Sequence, residues 1–166
     1  MGLFRIRWFW FTLGAFALDR ASKFAIESRT PLGFNRVLIP GFFTLVHSNN
    51  PGLAFGLFAD AASPRMTAIL SLSALLVCAM LIWLLVSDRA GGPAARMGVA
   101  LILGGALGNC FDRTIYSTVT DFLYFHLGTY GYPAFNLADS AIAVGAAIVG
   151  IELIFLHKHV PSPEER

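Results

Sequence analysis

Residues Met66 to Val86 read MTAILSLSALLVCAMLIWLLV, 21 positions without a charge. At a rise of about 1.5 Å per residue a helix of this length covers roughly 31 Å, the thickness of a bilayer's hydrocarbon core. The rest of the chain is of the same kind: 56% of the 166 residues are apolar and only 13% are charged, against about 25% charged in an average soluble domain. This composition excludes a disordered chain and argues against a soluble globule. The net charge of +2 comes with no long basic run, which disfavours nucleic-acid binding.

Three further apolar blocks accompany the first. Trp8 to Ile26 is apolar up to Leu18 and then carries Asp19, Arg20 and Lys23. Met97 to Phe111 stops at Asp112 and Arg113, which suggests an interface, and Phe135 to His157 carries Asn136, Asp139 and Glu152. We expect an all-α polytopic membrane protein, a single membrane domain over residues 1–166 with four spans at about 8–26, 66–86, 97–113 and 135–157. Arg5 and Arg7, the following apolar run and Ala15-Phe16-Ala17 also fit a cleaved signal peptide. Three more hydrophobic blocks follow, so a retained helix is the better reading.

With both termini inside, the inner segments hold Arg5, Arg7, Arg89, Arg96, Lys158 and Arg166, six residues against Arg29, Arg36, Arg65 and Arg113 outside. The inner segments are also much the shorter, so the positive-inside rule places both termini in the cytoplasm. Two outer loops result, at about 27–64 and 114–133. The first contains Val37-Leu38-Ile39-Pro40-Gly41-Phe42-Phe43-Thr44-Leu45-Val46, which reads either as a strand pair around a Pro-Gly turn or as an aromatic anchor loop.

Ionisable groups in a span are costly and are functional candidates by default. Asp19 and Lys23 stand four apart and share a helical face, as do Asn109 and Arg113; Asn136 and Asp139 stand three apart. In the four-span topology these residues and Asp121 collect on the outer side. Asp19 with Lys23 reads first as a structural pair, Asp112 with Arg113 as an interfacial pair, and Glu152 as a side chain that snorkels to water. Cys78 and Cys110 suggest neither a disulfide framework nor a zinc site. His47, His126, His157 and His159 show no ligand spacing, and the chain has no H-E-x-x-H and no G-x-S-x-G. Neither metalloprotease nor serine chemistry is indicated, and no metal or other cofactor is expected.

Asp121 and Asp139 remain, two carboxylates placed to meet at the outer interface. Two such groups close together do not both ionise cheaply, so one keeps a proton and the pair is suited to acid-base hydrolysis. The same pair would also suit a proton or cation site in a small transporter, and periodicity does not separate the two. A transporter predicts ionisable groups along a path to both faces, and a passive scaffold predicts no convergent polar cluster.

Five motifs then narrow the choice. Asp19-Arg20-Ala21-Ser22-Lys23 resembles the D-x-x-S-K element of lipoprotein signal peptidase (signal peptidase II), and Asn50-Pro51-Gly52-Leu53-Ala54-Phe55 resembles its N-x-G-x-A-F element. Gly104-Gly105-Ala106-Leu107-Gly108-Asn109 with Asp112-Arg113 is similar to G-G-A-x-G-N-x-x-D-R. Val119-Thr120-Asp121-Phe122 is similar to V-x-D-F, and Phe135-Asn136-Leu137-Ala138-Asp139-Ser140 to F-N-x-A-D-S. Pro51 and Leu53 depart from the usual pattern.

The resemblance implies four transmembrane helices in the bacterial cytoplasmic (inner) membrane, with a small extracytoplasmic β-cradle and a short surface helix near Phe58 to Ser63. It implies an aspartic endopeptidase that cuts diacylglyceryl-modified prolipoproteins just before the lipidated cysteine, at the extracytoplasmic interface. Asp121 and Asp139 match the catalytic pair. Asp19, Lys23, Asn50, Gly52, Asn109, Arg113 and Asn136 match substrate-binding or site-shaping positions. Prolipoproteins, membrane lipids and globomycin-type inhibitors are the implied partners. Gly104, Gly105 and Gly108 form a small-residue face that suits close approach of a substrate backbone or of another helix.

Overall fold

The computed structural model describes residues 6–51 and 64–156. The element order is α1 (Phe9–Arg29), β1 (Asn35–Ile39), β2 (Phe43–Asn50), α2 (Pro64–Val86), α3 (Pro93–Tyr116), β3 (Val119–Leu127), β4 (Tyr130–Gly131) and α4 (Leu137–Leu156). The expected surface helix near Phe58 to Ser63, and Gly52 in its motif, lie outside the described residues.

Helices α1 and α3 end where their sequences dictate. Thr30 precedes Pro31, which disfavours helical geometry at Thr30, and Thr30 is extended with φ −135° and its hydroxyl bonded to the Ile26 carbonyl at 2.8 Å. Pro93 opens α3 just after the Gly92 cap, where its missing N–H costs nothing, and Ser117 closes it in the left-handed region with φ 62°. Helix α3 therefore runs beyond the apolar block 97–111 at both ends, and carries Asp112 and Arg113 inside it.

Among the described residues, three helical segments are long and apolar enough to cross a membrane: Ala68–Val86, Pro93–Tyr116 and Leu137–Phe155, with mean hydropathy 2.8, 1.4 and 1.9. Helix α1 has the length, at 21 residues, but its second half carries Asp19, Arg20, Lys23, Glu27 and Arg29. The outward faces are apolar, with Leu72, Leu76, Trp83, Ile151 and Ile154 among the exposed side chains.

Helices α3 and α4 approach backbone to backbone. A Cβ on Gly98 would stand 2.6 Å from the Gly145 carbonyl oxygen, and one on Gly145 2.5 Å from that of Gly98. Only glycine fits this crossing. Trp8, Leu81, Leu85, Val99 and Leu103 form an apolar core at one end of the bundle. Asp19, Lys23, Asp112 and Asp121 are buried at the other.

The loops after α1 and α3 build one antiparallel sheet, in the order β1-β2-β3-β4. The strand pair around Pro40-Gly41 is present, with Gly41 at φ +74° in the turn. The outer loop expected at 114–133 contains β3, which the chain's periodicity did not mark and whose residues pair Phe43 with Phe125, Ser48 with Asp121 and Asn50 with Val119. The chain leading into α4 then closes on β3: the Phe122 and Leu123 N–H groups donate to the Phe135 carbonyl at 3.0 and 2.9 Å, and the Phe135 N–H returns to Leu123 at 3.0 Å. Phe135 also stacks on Phe125, with ring centroids 5.7 Å apart. This bridge carries the start of α4 to the strand that holds Asp121.

Candidate active site

The first turn of α4 positions Asp139. Asn136 caps the helix, its side-chain oxygen accepting the Asp139 N–H at 3.0 Å, while Asp139 Oδ2 accepts the Asn136 N–H at 3.4 Å. This is a reciprocal capping box, which satisfies backbone donors at a helix start and fixes the side chains that do so. The remaining capacity of Asn136 points to the sheet: its Nδ2 donates to Asp121 Oδ1 at 2.7 Å. One buried amide thus joins the two aspartates.

Each aspartate has a second partner. Asn50 Nδ2, at the end of β2, donates to Asp121 Oδ2 at 3.0 Å, and Asn109 Nδ2, on α3, donates to Asp139 Oδ1 at 2.8 Å. Asp121 is only 3% exposed. Burial, aided by the neighbouring Asp139 charge, pushes its carboxyl up to about 6, against the hydrogen bonds from Asn50 and Asn136 that favour the ionised form. Arg113 lies within electrostatic range of Asp139, Asp121 and Asp112, and its Nη1 donates to the Asn109 carbonyl at 3.4 Å.

Behind Asn109 stands a fully buried ion network. Lys23 Nζ bonds Asp19 Oδ2 at 2.7 Å and Asn109 Oδ1 at 3.0 Å, and lies 2.7 Å from Asp112 Oδ2. Asp19 and Asn109 take two of its donors, while Asp112 Oδ2 is held by charge alone, without hydrogen-bond geometry. Asp19 Oδ1 accepts the Ala138 N–H at 2.9 Å, so it caps α4 from a different helix. A Cβ on Gly108 would collide with the Asp19 carboxylate, and one on Gly105 with the Ala138 carbonyl. The small face of α3 is therefore filled by α1 and α4, the helix-packing alternative of the two.

Two expectations are corrected. Asp112 does not pair with Arg113: consecutive helical residues diverge by about 100°, and Asp112 turns to Arg20 and Lys23 on α1 instead. Glu152 does not snorkel; it is buried and caps α3, accepting the Gly92 and Ala95 N–H groups at 2.6 and 2.7 Å. The unpaired donors of a helix start hold it in place of water.

Of the expected site residues, Asp19, Lys23, Asn50, Asn109, Arg113, Asn136, Asp121 and Asp139 come together at one end of the bundle. The sequence reading missed Arg20, Asp112 and Glu27 as members. For Arg20 and Glu27 the signal was spacing: Arg20, Lys23 and Glu27 fall at i, i+3 and i+7 on one helix, with Asp19 four before Lys23. An apolar cleft of about 550 Å³ opens beside Asp139, lined by Asn50, Phe125, Tyr132, Phe135 and Ile142. A mostly apolar cavity with a few convergent polar groups is the usual form of a ligand site.

The chain is similar to known proteins in sequence and in fold. A family model described as "Signal peptidase (SPase) II" matches residues 11–155. The lipoprotein signal peptidase of Solibacter usitatus is 40% identical over 154 residues, covering 90% of this chain and 92% of the relative. That of Aeromonas hydrophila is 40% identical over 147 residues, covering 89% and 87%. Among solved structures, a bacterial membrane enzyme determined by the in meso method superposes with a TM-score of 0.82 at 22% identity, over 94% of this chain and 92% of that one.

Proposed function

The chain belongs to the signal peptidase II family, a family of aspartic peptidases and so of hydrolases, and on that premise we propose that it removes the signal peptide from diacylglyceryl-modified prolipoproteins, cutting just before the lipidated cysteine. The observation that carries this reading is the Asn136 bridge, which ties the buried Asp121 to Asp139 at the lining of an apolar cleft.

The division of labour follows from the surroundings of each carboxyl. Asp121, whose proton is held up to about 6, is the acid; Asp139, bonded by Asn109 and by the cap backbone, is the base. A water molecule gives a proton to Asp139 as its oxygen bonds to the scissile carbonyl carbon, and Asp121 passes its proton to the carbonyl oxygen. When the tetrahedral intermediate collapses, Asp121 takes that proton back and Asp139 delivers its own to the leaving amine. No covalent acyl-enzyme forms. Asn109, Asn136 and Asn50 hold both carboxylates in register, and Arg113 supplies positive potential to the pair.

The setting is the bilayer's outer face. Helix α1 is the fourth span, its charges neutralised against α3 rather than exposed to lipid, and both termini lie in the cytoplasm of a bacterial inner membrane, as the distribution of Lys and Arg supports. The substrate's acyl chains keep it in the membrane, and the cleft beside Asp139 takes its peptide; a globomycin-type inhibitor would compete there. The test is cleavage of a synthetic diacylglyceryl prolipoprotein by the purified protein in lipid nanodiscs. The expected product ends just before the modified cysteine. An intact substrate after prolonged incubation overturns the reading.

A further inference from the structure

Asp121 sits where its strand is least well paired. The β2–β3 ladder pairs Leu45 with Leu123 and then Ser48 with Asp121, so two residues of β2, Val46 and His47, face only Phe122. Such a bulge disrupts the local ladder and bends the strand. A carboxylate that must keep a fixed position beside Asp139 needs another tie at this point.

That tie comes from α1. Thr120, the residue before Asp121, is buried, and its Oγ1 donates to Glu27 Oε1 at 2.7 Å. Successive strand residues face opposite sides, so Glu27 grips the back of the strand whose front carries Asp121. Glu27 is itself braced: Arg20 Nη2 lies 3.7 Å from Glu27 Oε2, and Arg20 is ion-paired with the buried Asp112. The Arg20 guanidinium also lies over the Phe111 and Tyr116 rings, 5.0 and 5.7 Å from their centroids. None of Arg20, Glu27 or Thr120 fills a defined position in the five motifs.

We propose that Glu27, braced by Arg20, is a positioning residue that sets the place of Asp121 through Thr120. The proposal rests on the assignment of Asp121 to the reacting pair. It predicts that the tie acts on turnover more than on substrate binding, because Glu27 and Thr120 do not line the cleft. A charge-assisted hydrogen bond of this kind corresponds to about a tenfold effect.

The experiment measures kcat and KM on a diacylglyceryl prolipoprotein peptide, with thermal unfolding recorded for every variant. Thr120→Val and Glu27→Met are expected to lower kcat about tenfold, with KM changed less than about twofold. Thr120→Ser and Glu27→Gln, which keep the donor and the acceptor oxygen, should stay within about threefold of wild type. The Glu27→Met, Thr120→Val double variant should be no slower than the worse single one, since both break one link. Wild-type kcat in either disrupting variant overturns the proposal, as do losses that multiply in the double or that persist in the Ser and Gln variants. Asp121→Asn separates the two levels: if it is inactive while the tie is silent, only the positioning role fails; if it turns over normally, both readings fail.

Discussion

Asn136 and Asp139 exchange hydrogen bonds in both directions, the side chain of each accepting the backbone N–H of the other. A motif that elsewhere starts a helix here also presents a carboxylate, and the spare amide of Asn136 reaches Asp121. Helix capping and site assembly are one structure. Asn136→Ala should therefore lower stability by about 1–2 kcal/mol for the lost cap and reduce cleavage by about 100-fold. Thermal unfolding in detergent and a cleavage assay read the two losses separately.

The Lys23 network makes a different prediction. Lys23→Met leaves the buried Asp19 and Asp112 without their shared cation, which should cost about 3–5 kcal/mol. Asp112 keeps Arg20, so adding Asp19→Asn to Lys23→Met, which removes the charge left unpaired and keeps an oxygen for the Ala138 N–H, should recover part of that loss. A double variant less stable than Lys23→Met alone, by thermal unfolding, would contradict this account.

The state of Asp121 sets a pH dependence with a definite sign. Its carboxyl is raised from the ordinary 3.8 to about 6, so the folded protein holds this proton more tightly than the unfolded chain does. Stability from this group is complete below about pH 4 and is lost as pH rises through about 6. Asp121→Asn removes the titration but sets an amide N–H against the Asn50 or Asn136 donor, so the variant's stability relative to wild type should rise by up to about 2–3 kcal/mol between pH 4 and pH 7.5. Unfolding curves at the two pH values measure it.

Much of this was legible in the sequence, and the gaps have physical causes. Met66 to Val86 announces a helix by its length and lack of charge, and Asp19 with Lys23 announces a shared face by spacing alone. Asp121 and Asp139 were legible as a pair through the motifs around them. Strand β3 was not, because Val119 to Leu127 has no period-2 contrast: Val119, Thr120, Asp121 and Phe122 are all buried. Glu152 misled because its partner is a helix start 60 residues away in sequence, where backbone N–H groups leave no mark on side-chain patterns.

Topology is open to a direct check. Reporter fusions at Ala90, between α2 and α3, and at Thr129, between β3 and β4, should report opposite sides of the membrane, with Ala90 cytoplasmic. The same side for both would remove the two-sided arrangement on which the outward-facing site depends.

The central claim is that Asp121 and Asp139 act as one acid-base unit. Its most direct test is the initial rate of prolipoprotein cleavage by Asp121→Asn and by Asp139→Asn, each verified as folded by its unfolding transition. The account predicts that each single change lowers the rate by about 1,000-fold. A folded variant of either kind that cuts within about tenfold of wild type would contradict it.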